Sequence, residues 1–154
     1  PEPTEVMLKG SIWRSLKEFL LSRKNVTPKV ALPFTQNQLT HLPYSAVPQF
    51  VWFGHSSYLV HYHDKNILVD PVFSGYASPI KGMGKAFEGS DFYKAELMPP
   101  IDVLLLTHDH YDHLDYATIM QLHERCKCII TSLGVGCHLA HWGIPNGKII
   151  ELDW

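Results

Sequence analysis

Three histidines and an aspartate stand within six residues of one another in the segment Thr107-His108-Asp109-His110-Tyr111-Asp112-His113. Neutral imidazole and carboxylate are donors that suit zinc, and iron or manganese accept the same set. The segment follows Val103, Leu104, Leu105 and Leu106, a continuous apolar run that reads as a strand buried on both faces. In an extended continuation alternate side chains face the same way, so His108 and His110 can grip one ion while Asp109 and Tyr111 point elsewhere. Asp112 and His113 then fall on the turn into a helix, within reach of a second ion. All four on one ion would close a tetrahedral shell and leave no position for water. Two ions about 3.5 to 4 Å apart keep that position and stabilise a bridging hydroxide near neutral pH. The cluster therefore predicts metal-assisted hydrolysis, with Asp112 as both ligand and catalytic residue. The competing reading is a histidine-rich surface loop with a capping aspartate.

The elements that must carry the cluster can be placed from periodicity. Residues 50–53, 57–62 and 66–69 are short runs rich in Val, Tyr, Phe and Leu, and the polar break His63, Asp64, Lys65 has hairpin length, so an antiparallel meander is expected. Residues 70–100 hold Pro and Gly signals with little period, and a loop this long inside a compact domain is usually functional. After the cluster, Asp115 suits the cap of a helix whose Tyr116, Ile119 and Met120 share a face. Residues 128–131 read as a strand, residues 133–142 as a helix and residues 149–152 as a last strand, giving a mixed α/β (α+β) layer structure. Ahead of the meander, Ile12, Leu16, Phe19 and Leu20 recur at helical spacing with Arg14, Lys17 and Arg23 on other faces. This is an amphipathic helix, followed by a Pro-containing extended connector to Pro48 that wraps the surface. The expected organisation is an N-terminal helix and connector over residues 1–49 and a mixed α/β domain over residues 50–154.

Composition narrows the function classes. With 45% hydrophobic and 18% charged residues, the 154-residue chain has a globular composition. A formal net charge of -2 provides no basic excess to neutralise phosphates along a polymer, which disfavours a nucleic-acid partner. Cys126, Cys128 and Cys137 are odd in number and form no C-x-x-C pair, so reduced thiols and a cytoplasmic setting are expected. No apolar run spans a bilayer; the basic helix packs on its own domain or makes peripheral membrane contact. The chain starts without Met and stops at Trp154 directly after a strand-like stretch, so both ends are read as cut.

His-x-His-x-Asp-His after an apolar strand resembles the signature of the metallo-β-lactamase superfamily. Trp52-Phe53-Gly54-His55-Ser56-Ser57, Leu68-Val69-Asp70-Pro71-Val72-Phe73-Ser74, Ala77-Ser78-Pro79, Pro99-Pro100-Ile101-Asp102 and Glu151-Leu152-Asp153-Trp154 resemble the branch containing N-acyl-phosphatidylethanolamine-hydrolysing phospholipase D and its bacterial relatives. The resemblance runs from about Phe50 to Trp154. It implies half of an αββα sandwich, a mixed sheet with helices on one face, and a dinuclear zinc site shared with a second half. It also implies phosphodiester hydrolysis, on a small-molecule or lipid substrate. By the same resemblance His108 and His110 hold the first zinc and Asp112 and His113 the second. Asp70 orients a ligand from outside the coordination shell, or is simply a turn residue before Pro71. His55 lines the site or is a hydrogen-bonded structural histidine. His61 and His63 alternate on a strand and are expected at solvent-facing or edge positions, while His138 and His141 are helix-face residues.

The second half that the resemblance calls for, with two further histidines and a bridging aspartate, is absent from this sequence. The expected partner is accordingly a C-terminal half or another chain. A lactonase of the same fold, or a non-catalytic fragment that works only with a partner half, is the rival to a phosphodiesterase. Di-iron proteins of the same fold typically place Glu where this sequence has His110, which favours a hydrolytic zinc site.

Overall fold

The structure of the chain, a computed structural model, describes residue 17, residues 27–78 and residues 84–153. The helix expected from Ser11 lies outside the described residues except for Lys17, which is helical. The chain divides into two compact units, Pro1–Val30 and Ala31–Trp154, and the strands and the histidine cluster lie in the second. No described helix is long and apolar enough to cross a membrane.

One six-stranded sheet organises the unit, with its strands in sequence order: β1 (Gln49–Gly54), β2 (Ser57–Tyr62), β3 (Lys65–Val69), β4 (Ile101–Leu106), β5 (Cys126–Ser132) and β6 (Ile149–Leu152). The first three form the expected antiparallel meander, and β3, β4, β5 and β6 run parallel. The β2–β3 turn is tighter than the polar break suggested. Lys65 pairs with Tyr62, and only His63 and Asp64 turn the chain, both at positive φ. Helices α1 (Tyr116–Leu122) and α2 (Gly136–His141) cross between the parallel strands.

Alternation along the strands separates two faces. Leu59, Leu68, Leu104, Leu106 and Ile129 share one face and join Ile119 and Leu122 of α1 and Leu139 of α2 in the core. The other face carries Phe50, Trp52, Val60, Ile67, Val103, Leu105, Ile130, Ile150 and Leu152, and among the described residues no helix covers it. Phe50 and Trp52 are 67% and 70% exposed there. The expectation that β4 is buried on both faces is thus corrected: Leu104 and Leu106 are buried, whereas Val103 and Leu105 are half-buried. Val103 and Leu105 point to the face that no described helix covers.

The other correction concerns His61, which faces the core side with Leu59 and is buried rather than at the surface. Its Nδ1 lies 2.8 Å from Asn66 Oδ1 and its Nε2 2.9 Å from the Pro43 carbonyl, so it ties the connector to the β2–β3 hairpin. His63 is exposed as expected and meets Tyr44. The helix expected over residues 133–142 begins only at Gly136, because Gly134 turns at φ 89° and the Glu151 carboxylate accepts from the N–H groups of both Gly134 and Gly136.

Two polar side chains fix the frame. Asp115 caps α1 by accepting from Ala117 N, and also accepts from Thr118 Oγ1 at 2.6 Å and Ser74 N at 2.9 Å, so it joins α1 to the segment after β3. Asp115→Ala removes the cap and orphans buried donors, and is expected to lower unfolding free energy by about 3 kcal/mol, read from the denaturant midpoint. Asp102 at the start of β4 accepts from Lys127 Nζ at 2.6 Å and Asn66 N at 2.9 Å, with Lys65 Nζ at 3.5 Å. Burial pushes its pKa up, but the bonds to Lys127 and Asn66 and the charges of Lys127 and Lys65 outweigh it and hold the pKa below the ordinary 3.8. A depressed carboxyl pKa stabilises the fold fully above that ordinary value and loses the contribution as pH falls through the folded value. The stability gap between the wild type and Asp102→Asn should therefore be constant near neutrality and close below about pH 3.8, followed by urea melts across pH.

Candidate metal centre

Register alone predicts where the functional side chains meet. Parallel pairing of Val69 with Leu105 sets Asp70, which follows β3, opposite Leu106, within side-chain reach of Thr107, which follows β4. Antiparallel pairing of Tyr58 with Val69 brings the β1–β2 turn, His55 and Ser56, to the same end of the sheet. Sites in open α/β sheets form at such carboxyl ends.

Asp70 is the buried centre of this edge, 1% exposed. Its carboxylate accepts from Thr107 N at 2.8 Å, Thr107 Oγ1 at 2.7 Å and His113 Nδ1 at 2.8 Å. Its backbone sits at φ 40°, a left-handed conformation that costs a non-glycine residue about 1 to 3 kcal/mol. Asp70 N donating to the Leu105 carbonyl and Ser57 Oγ donating to the Asp70 carbonyl hold it there. Its side-chain contacts run to His113, one of the cluster residues, and to Thr107 beside His108.

Proton bookkeeping assigns the tautomers. The Asp70 carboxylate only accepts, so His113 Nδ1 carries the hydrogen and Nε2 keeps its lone pair. Thr107 spends its one hydroxyl hydrogen on Asp70, so at 2.9 Å it accepts from His108 Nδ1, and His108 Nε2 keeps its lone pair as well. One carboxylate thereby prepares two imidazoles as metal donors, the arrangement by which outer residues orient ligands.

On the far side of His113 lies Asp112, with Oδ2 3.8 Å from His113 Nε2 and 2.9 Å from His55 Nε2. Burial pushes the Asp112 pKa up, but its own backbone N–H and the charges of His113 and His55 outweigh it and hold it below the ordinary carboxylate value. An ionised carboxylate is what a metal ligand requires. Ligand atoms of His55, Asp112 and His113 lie within 4.8 Å of one another, the group among the described residues that could hold an ion. His108 touches it through its ring, 3.8 Å from that of His113, and His110 packs at 4.6 Å on His108 while remaining exposed. The chain bends after Leu106 rather than staying extended: His113 N and Leu114 N both donate to the His110 carbonyl, and His113 alone of the four residues reaches Asp70. His138 stays apart on α2, 3.8 Å from Asp109. Donor types, ionisation and free Nε2 lone pairs fit a divalent cation.

Thr107, Ser56 and Ser57 escaped the sequence reading. Ser56 Oγ lies 3.1 Å from His113 Nδ1, and Ser57 bridges the Asp70 carbonyl and Val72 N. A hydroxyl directly after a strand and next to a histidine was the available signal for Thr107.

An open cleft of about 730 Å³ reaches this centre, with His55 and Asp112 in its wall. Phe34, Phe53, Tyr76, Phe87, Phe92 and Tyr93 give it an aromatic lining. The cleft is built from the connector, β1 and the loop after β3, the long loop whose length marked it as functional.

Asp70→Asn substitutes a donor where His113 and Thr107 need an acceptor, and Thr107→Val removes the hydroxyl between Asp70 and His108. Each is expected to weaken zinc binding, Asp70→Asn by about 10- to 100-fold, in competition titrations against a chromophoric chelator. Unchanged affinity in both variants would detach Asp70 from the centre.

The sequence profile described as Beta-lactamase superfamily domain matches residues 65–154. The uncharacterized protein Rv0906 of Mycobacterium tuberculosis is 38% identical over 104 residues, 67% of this chain and 28% of that protein. The UPF0173 metal-dependent hydrolase SSO0099 of Saccharolobus solfataricus is 32% identical over 108 residues, 68% of this chain and 42% of that protein. The N-acyl-phosphatidylethanolamine-hydrolyzing phospholipase D 1 of Caenorhabditis elegans is 30% identical over 109 residues, 67% of this chain and 30% of that protein. The aligned part of the chain thus spans between 28% and 42% of the length of these relatives. The matched region holds β3 through β6, Asp70 and the whole histidine-bearing turn, and the chain belongs to the beta-lactamase superfamily.

Proposed function

We propose that this chain forms one half of a metal-dependent hydrolase that cleaves a phosphodiester in an amphiphilic, lipid-like substrate. The observation that carries the reading is the junction of two unlike surfaces. His55 and Asp112, at the candidate metal centre, also wall a cleft that is otherwise lined largely by aromatic side chains. A polar centre at the end of an apolar cleft suits a substrate with a charged reacting group and an apolar tail. Two relatives support the chemistry by name, one as a metal-dependent hydrolase and one as a phospholipase D acting on N-acyl-phosphatidylethanolamine.

His108, His110, Asp112 and His113 would hold the metal, with His55 at its rim. Zinc is the cation we assign, since hydrolysis needs no redox change and the donors are imidazole and carboxylate. Divalent cations bound there would supply Lewis acidity to a phosphoryl oxygen and to water. The chain's own residues do the rest. Asp70 and Thr107 keep the Nδ1 protons of His113 and His108 in place, Asp112 stays ionised, and the cleft orients the apolar tail while excluding water from it.

The uncovered sheet face supports the incomplete-site part of the reading. An apolar face that includes Phe50, Trp52, Ile150 and Leu152, all exposed, needs a second layer, and the relatives are long enough to contain one. In this reading that layer brings the remaining ligands, from further along the polypeptide or from a partner chain. A lipid substrate would also bring the protein into peripheral contact with a membrane.

Zinc titration of the chain, followed by assays with N-acyl-phosphatidylethanolamine in mixed micelles and with an N-acyl homoserine lactone, tests the proposal. Zinc should bind and His113→Ala should lose at least about 10-fold in affinity. The zinc-loaded chain should bind a non-hydrolysable phosphonate amphiphile and turn over the diester slowly or not at all. Cleavage of the lactone without zinc-dependent binding of the phosphonate would replace the diesterase reading by a lactonase. Fast diester turnover by the isolated chain would remove the need for a second half.

A further inference from the structure

Residues 32–37 have no helix or strand, yet Leu32, Pro33, Phe34, Thr35 and Asn37 line the cleft, so an irregular segment serves as one of its walls. Apart from Leu32, the side chains of this strap are exposed, and its next buried anchor is Leu39. Its shape therefore depends on a few specific contacts. Leu32 N donates to the Glu88 carbonyl at 2.7 Å, and Phe34 stacks on Phe92 with ring centroids 4.4 Å apart. The Tyr93 hydroxyl donates to the Thr35 carbonyl at 2.7 Å and accepts from Asn37 N at 3.0 Å. A single hydroxyl thus uses its one hydrogen and one lone pair to hold two backbone groups of the strap.

The Tyr93 ring is 9% exposed and packs 4.9 Å from the ring of Phe53, in the strand that leads directly into Gly54 and His55. One side chain therefore holds the spacing between the strap and the strand that delivers His55. Gly89 makes that spacing tight. At φ 90° it lies so close to the strap that a Cβ would stand 2.1 Å from the Leu32 carbonyl oxygen, so any side chain there must push the strap away.

We propose that Tyr93 is a specificity-determining residue: by clamping the strap it sets the width of the cleft and so selects the apolar tail of an amphiphilic substrate by size. The inference rests on the amphiphilic-substrate reading above. Tyr93 touches neither the four cluster residues nor Asp70 in any hydrogen bond, so its effect on selection should be separable from metal binding. Tyr93→Phe keeps the ring against Phe53 and releases Thr35 and Asn37. Gly89→Ala leaves Tyr93 intact and displaces the same strap from its other end.

The test uses the zinc-loaded chain and two pyrene-labelled fatty acids, one short and one long, whose affinities are read by fluorescence. Their affinity ratio in the wild type should move by about 5-fold in Tyr93→Phe, the factor that loss of a hydrogen bond of ordinary strength produces. It should move in the same direction in Gly89→Ala, with zinc affinity unchanged in both. A merely structural role would lower the thermal midpoint and leave the ratio alone. If Tyr93→Phe fails to fold, Gly89→Ala decides the matter by the same ratio. An unchanged ratio in the folded variants, or a change that appears only together with loss of zinc binding, overturns the proposal. A changed ratio in a protein whose zinc-loaded form fails to bind the phosphonate amphiphile upholds the clamp and rejects the diesterase reading, so the two failures are distinct.

Discussion

Burying a carboxylate is expensive unless every oxygen finds a donor. Asp70 meets that condition with a backbone N–H, a hydroxyl and an imidazole, all from the segment that follows β4. The same three contacts determine which ring nitrogens of His108 and His113 carry hydrogen, so the condition for burial and the condition for binding a cation are met by one set of bonds. Without the carboxylate, His113 has no reason to present Nε2 toward Asp112, and Thr107 has a free choice of partner. The histidine cluster would then revert to the histidine-rich loop that was its competing reading.

That arrangement is possible because the sheet changes character at β3. Antiparallel pairing on one side of β3 returns the chain quickly, which puts the His55 turn next to the end of β3. Parallel pairing on the other side puts the end of β4 there too, and requires a long crossover to do so. The crossover, residues 70–100, is also the segment that builds much of the cleft. The length of the loop is a consequence of that topological choice.

Much of this was legible in the sequence. Six runs of apolar, β-branched and aromatic residues correspond to six strands, and Asp115 caps α1 as its position before Tyr116 suggests. The cluster could be read because metal ligation needs rare residue types at close spacing. What could not be read was side-chain placement decided by partners far along the chain. His61 looks like an edge residue beside His63, but it shares the parity of Leu59, and the carbonyl of Pro43 and the amide of Asn66 make its burial tolerable. His55 reads equally as site-lining or as a structural histidine, and only its partner 57 residues along, Asp112 at 2.9 Å, shows where it points. The apolar run of β4 suggests a strand with two covers, whereas among the described residues helices cover only one of its faces.

The open sheet face and the candidate metal centre are physically joined. Trp52 projects from the open face, 70% exposed, and its indole N–H donates to the His55 carbonyl at 2.9 Å. His55 sits at φ 48°, a strained turn whose side chain reaches Asp112. A second layer that packs on Trp52 would order the indole, and through its N–H the turn that sets His55. Covering the apolar face and tightening the metal centre would then be one event. The hydrophobic free energy of burying the sheet face would then help offset the strain held at the His55 turn.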